Sequence, residues 1–143
     1  MSDAKKLLIV EKSLTLGRCY QAYLSEDDYQ VIIVRSGTEA IKFIDTERPH
    51  VVLLELELDD MKGNEVILHS QEKGLGCVFV VMTAQGSAVS AVDAMNDGAL
   101  DYLEKPFTKD RLCITLKNAM DRYQWNLNEG GRAAADDRRG VKR

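Results

Sequence analysis

The stretch Pro49-His-Val-Val-Leu-Leu-Glu-Leu-Glu-Leu-Asp-Asp-Met-Lys-Gly-Asn-Glu-Val66 decides the fold of this chain. It opens with four aliphatic residues, Val51 to Leu54, that show no polar alternation, as in a strand covered on both faces. An acidic loop follows. Gly63 then starts a segment through Gln71 in which Val66 and Ile67 sit at helical positions. Strand, polar loop and helix in that order form one half of a parallel βαβ unit.

The same signature recurs on either side. Leu7 to Val10, Val31 to Val34 and Val78 to Met82 are short, aliphatic and unalternated, and a weaker run, Leu100 to Leu103, ends at Glu104-Lys105-Pro106. Helical segments lie between them. Ser13 is a candidate N-cap for a helix through about Ser25, Thr38 for one through Ile44, Ser87 for one ending at Gly98, and Thr108 for the last. Five alternations of strand and helix define a doubly wound α/β domain over residues 1–125. Right-handed crossovers then bring the carboxyl ends of all strands to one edge, where such folds place their sites.

The chain has 143 residues, 19 Lys and Arg against 23 Asp and Glu, and a net charge of -4. That length supports one buried core, and the acidic balance disfavours nonspecific nucleic-acid binding. Residues 126–143 hold five basic and three acidic side chains with Gly130-Gly131 and Ala133 to Ala135, and read as a flexible linker or C-terminal tail. Residues 1–125 are therefore near -6. Cys19, Cys77 and Cys113 are dispersed, with no paired spacing, so neither a disulfide framework nor a zinc site is expected. The apolar run after Met1 is too short for a signal peptide or membrane span, and a cytoplasmic protein is expected. His50 and His69 have no Cys or His near them and read as surface or packing residues, and Trp125 is expected to pack at the last helix end.

The residues just past the strands are Glu11-Lys12, Ser36, Glu55, Thr83-Ala84 and Lys105-Pro106. With Leu7-Leu-Ile-Val-Glu-Lys12, the 49–66 stretch, Val81-Met-Thr-Ala-Gln-Gly-Ser87 and Gly98-Ala-Leu-Asp-Tyr-Leu-Glu-Lys-Pro-Phe107, the chain resembles response-regulator receiver domains of two-component signalling over Lys6 to about Tyr123. It is most similar to receivers of nitrogen-regulator-type enhancer-binding activators. The resemblance implies a flavodoxin-like fold, five parallel strands in the order 2-1-3-4-5 with five helices. It also implies a phospho-acceptor position at Glu55, a hydroxyl at Thr83, a lysine at Lys105, an aromatic switch at Tyr102, a turn glycine at Gly63 and a cis Lys105-Pro106 bond.

Two departures fall at the centre of the implied site. An aspartate would normally stand at 55, and the acidic pair that would hold Mg²⁺ is degenerate, Glu11 followed by Lys12. Glu57 joins Glu11, Lys12 and Glu55 in this degenerate metal site, and Asp59 stands where a proline is common. One extra methylene carries the Glu55 carboxylate outward by roughly 1.3 Å, enough to spoil in-line phosphoryl transfer. Lys12 puts a fixed positive charge where a divalent cation belongs, and a Lys12–Glu55 contact is expected to replace the metal. A phosphorylation-independent pseudo-receiver is therefore expected, held in a conformation resembling the activated one, with no catalytic residue, no metal and no cofactor. The alternative is a conventional receiver phosphorylated at Glu55, Asp59 or Asp60 with Mg²⁺. A hydrolase on the same fold, or a small-ligand module, are further readings; no phosphate-cradling glycine loop supports the last.

The expected partners are other signalling proteins, an output domain or partner outside this chain, and a second copy. The dimer face implied by the resemblance is that of the fourth helix, fifth strand and fifth helix, where Asp93, Asp97, Asp101, Lys109, Arg111, Lys117 and Arg122 place both charge signs. Transcription regulation through protein contacts is the expected output, without direct nucleic-acid or membrane binding.

Overall fold

The computed structural model describes residues 4–138. Five strands, β1 (Lys5–Val10), β2 (Tyr29–Val34), β3 (Val51–Glu55), β4 (Val78–Thr83) and β5 (Asp101–Glu104), alternate with α1 (Leu14–Tyr23), α2 (Gly37–Glu47), α3 (Gly63–Lys73), α4 (Ala88–Asp97) and α5 (Lys109–Arg138). All strand pairs are parallel, in the order β2-β1-β3-β4-β5. The expected doubly wound receiver architecture is the observed one.

Side-chain alternation divides the core into two layers. Leu7, Ile9, Leu53, Val80 and Met82 face α1 and α5, packing with Tyr20, Leu112 and Leu116. Leu8, Val10, Val52, Leu54 and Val81 face the other helices, packing with Ile44, Val66, Ile67 and Ala94. Each fully buried aliphatic side chain contributes about 1.5–3 kcal/mol of transfer free energy, so β1 and β3 anchor the sheet and fix their carboxyl ends. The β2 strand differs from the reading of a strand buried on both faces. It lies at the sheet edge and is only half-covered along most of its length.

Local chemistry sets the helix starts. The Ser13 hydroxyl accepts from Leu16 N, and the Thr108 hydroxyl from Arg111 N at 3.1 Å. For α2 the expected cap at Thr38 is corrected to Ser36, whose hydroxyl accepts from Glu39 N while Glu39 Oε1 accepts from Arg35 N, a reciprocal box two residues earlier. At the far end, α5 runs through residues 126–138, which the sequence reads as a linker; residues 139–143 of that stretch lie outside the described residues. Two adjacent glycines cost about 1 kcal/mol each against alanine inside a helix, and the helix continues through them. Trp125, expected to pack, is 60% exposed on α5. No helix among the described residues is long and apolar enough to cross a membrane.

Candidate functional site

Glu11 follows β1, Glu55 ends β3, Thr83 ends β4 and Lys105 follows β5, so the topology alone gathers them at one edge. Glu11 and Glu55 are 1% and 4% exposed. Buried carboxylates require partners. Both find the same one: the Lys105 ammonium donates to Glu11 Oε1 at 2.6 Å and also, closely, to Glu55 Oε1. The remaining oxygens are held by backbone, Ser13 N donating to Glu11 Oε2 at 3.1 Å and Glu57 N to Glu55 Oε2 at 3.0 Å. Every oxygen of the two buried carboxylates thus has a donor.

Burial alone would pull the Lys105 ammonium down, but the hydrogen bonds and charges of Glu11 and Glu55 outweigh it and raise its pKa above the ordinary lysine value. Tyr20 lies under this cluster. Burial pushes its phenol up to about 12, with Lys105 opposing and the two glutamates reinforcing. The Lys105 backbone N–H donates to Thr83 O at 2.8 Å, which fixes the residue at the end of β4; the Lys105-Pro106 peptide is cis.

The expected Lys12–Glu55 contact is not formed. Lys12 is exposed and makes no ion pair, and its carbonyl accepts from Arg35 Nε. Glu11 turns its carboxylate inward, and the next residue along the chain points away from the cluster. Thr83 is buried beside the site, but the Glu55 oxygens bond Lys105 and Glu57 N rather than its hydroxyl. Tyr102 is 43% exposed, its ring turned out on the β5 surface.

The loop from β3 to α3 is folded back on itself. Gly63 N donates to Leu56 O at 2.9 Å, and Glu57 bridges Lys62 in antiparallel fashion. A Cβ on Gly63 would lie 2.7 Å from Glu55 O, so only glycine allows this approach. Asp59 is exposed at the tip. Asp60, a candidate acceptor in the alternative reading, instead caps α2: it accepts from Gly37 N and Thr38 N, each at 2.9 Å, and from the Thr38 hydroxyl at 2.7 Å. These bonds hold its carboxyl down at about 2. Nothing in the sequence pointed to this cap, which spans 22 residues and follows no periodicity.

The residues present do not fit the Mg²⁺ that an acidic receiver pair would hold. Such an ion takes carboxylate and water oxygens, whereas the two buried carboxylates here share an ammonium and a lysine, Lys12, stands where the resemblance implies a second acid. No group of three or more His, Cys, Asp or Glu side chains able to hold a metal exists among the described residues.

A parallel 2-1-3-4-5 sheet with this polar cluster at its carboxyl edge defines a receiver, a class of signalling module. Residues 7–117 match the response regulator receiver domain, and the chain belongs to that family. It is 40% identical over 112 residues to regulatory protein LuxO of Vibrio cholerae, a match covering 78% of this chain and 25% of that protein. It is 30% identical over 115 residues to chemotaxis protein CheY of Listeria monocytogenes, covering 80% of this chain and 97% of that one. Among solved structures, the signal receiver domain of a putative LuxO repressor protein from Vibrio parahaemolyticus superposes with a TM-score of 0.83 at 32% identity, covering 86% of this chain and 95% of that one. The chain spans about a quarter of the length of the Vibrio cholerae LuxO it matches.

Proposed function

We propose that this receiver is a pseudo-receiver that signals without phosphorylation, acting in the cytoplasm through protein contacts that regulate transcription. The observation that carries this reading is the Lys105 ammonium held between the buried carboxylates of Glu11 and Glu55. An acceptor must present a free carboxylate oxygen in line with the incoming phosphoryl group, with a metal neutralising the developing charge. Here one Glu55 oxygen is taken by Lys105 and the other by Glu57 N–H. Internal neutralisation falls to Lys105, not to Lys12. The exposed Tyr102 ring speaks against the activated-like conformation expected from sequence, and the state described is read as the resting one.

The similarity to regulatory protein LuxO and to the transcriptional regulatory protein GlrR of Escherichia coli supports an output in transcription, exerted by partners or domains beyond these residues. A second copy is the proposed partner of the face formed by α4, β5 and α5, where Val89, Val92, Met95 and Tyr102 are exposed. Light scattering at high concentration tests that dimer, and a monomer only would contradict it. Incubation with acetyl phosphate and Mg²⁺ followed by intact-mass measurement tests the pseudo-receiver reading: an unmodified chain is expected, and a phosphoryl adduct at Glu55, Asp59 or Asp60 would overturn it.

A further inference from the structure

The α2 helix is capped twice at its amino end. Ser36 and Glu39 already form a local box, yet Asp60 adds three more hydrogen bonds from the loop that follows β3. The serine cap satisfies only one of the unpaired amides of this helix start, Glu39 N, and Asp60 takes two of the others, Gly37 N and Thr38 N. This second cap joins α2 to a loop whose other end is Glu55.

That loop transmits position along a short, continuous set of contacts. Lys105 grips Glu55, the Glu55 carboxylate grips Glu57 N–H, Glu57 bridges Lys62, and Asp60 between them grips Gly37 and Thr38. Met61 packs directly over Gly37, so close that a Cβ there would run into its side chain, and adds a packing contact between the loop tip and the helix start. On its outer side, α2 is tied to α3 by Asp45, which bonds His69 Nε2 at 2.8 Å and approaches Lys73 Nζ at 3.6 Å.

We propose that Asp60 is a positioning residue that couples the Glu55–Lys105 site to helix α2, so that a change at either end is felt at the other through the folded loop. The coupling is reciprocal, as any equilibrium linkage must be. It requires only that the Glu55 carboxylate change its partners, and therefore holds whether or not Glu55 ever accepts a phosphoryl group. The surface placed under control is α2 and its junction with α3, on the opposite side of the sheet edge from α5.

The test is a double-mutant cycle on the full chain, read by amide hydrogen exchange at Gly37 and Thr38 and by the NMR shift of the Lys105 ε-methylene. Glu55→Gln is expected to speed exchange at both amides about 5-fold or more, the lower end of typical coupling. In an Asp60→Ala background the same change is expected to add nothing further. Reciprocally, Asp60→Ala is expected to move the Lys105 ε-methylene resonance, which loss of a local helix cap alone would leave in place. Asp60→Asn, which keeps one acceptor oxygen, gives an intermediate effect and serves if the alanine variant does not fold. Equal effects of Glu55→Gln in both backgrounds, or an unmoved Lys105 resonance, would overturn the proposal.

Discussion

Lys105 Nζ lies 2.6 Å from Glu11 Oε1, joining residues 94 apart in sequence across the carboxyl edge of the sheet. The same ammonium holds Glu55, so one cation is shared by two carboxylates that are almost wholly buried. Replacing Lys105 by Met is predicted to cost about 3 kcal/mol at neutral pH, because removing one partner strands buried charge. Urea denaturation of both proteins at neutral pH checks it; a deficit below about 1 kcal/mol, the scale of an exposed ion pair, would contradict it.

Restoring the acceptor alone should not restore chemistry. Glu55→Asp leaves Lys12 in place of the second acid, so beryllofluoride with Mg²⁺ is predicted to leave its fluorine NMR spectrum without a bound species. The double variant Lys12→Asp with Glu55→Asp is predicted to show one. A bound signal with Glu55→Asp alone would mean that the Lys12 position does not control the site.

The Asp60 cap carries its own pH signature. Its carboxyl sits at about 2, below the ordinary value of 3.8, because Gly37 and Thr38 donate to the ionised form. A depressed carboxyl stabilises the fold fully above its unfolded pKa, and the stabilisation is lost as pH falls through the folded one. The difference in melting temperature between the wild type and Asp60→Asn should therefore be constant above pH 4 and narrow between 4 and 2. A difference unchanged over that interval would contradict the cap.

His50 gives a second window. Burial, then the charges of Lys5 and Lys6, lower its pKa from 6.5, and its Nδ1 accepts from Lys6 N at 3.1 Å while its ring lies 4.6 Å from that of Tyr123. A histidine held neutral stabilises above the unfolded pKa, and stability is lost as pH falls below 6.5 through the folded value. His50→Gln should flatten stability across that range, measured by denaturant midpoints at several pH values. An unchanged slope would remove His50 as its source.

Much of this was readable in the chain because it rests on local pattern. Unalternated runs such as Val51 to Leu54 mark strands buried on both faces, and Ser13 and Thr108 announce helix starts by residue type. Gathering Glu11, Glu55, Thr83 and Lys105 at one edge then followed from parallel topology. What escaped depends on direction and on distance in sequence. Adjacent residues past a strand diverge, so Glu11 turns in while Lys12 turns out, away from Glu55. Asp60 could be seen as an acid but not as the cap of a helix 22 residues away. Thr38 looked like the cap of that helix because it fits the residue preference, whereas Ser36, with Glu39 three residues on, satisfies the geometry. At the chain end, two glycines suggested a break in a helix that continues through them.

The most direct measurement is a Mg²⁺ titration of the isotopically labelled chain, following the amides of Ser13 and Glu57, which donate to the outer oxygens of Glu11 and Glu55, together with the Lys105 side chain. If Lys105 serves as the internal counter-ion, these three signals stay in place while exposed carboxylates elsewhere shift weakly and without saturation. A saturable shift of Ser13 and Glu57, with Lys105 leaving its two glutamates, would show that a divalent cation takes the site and would contradict the account.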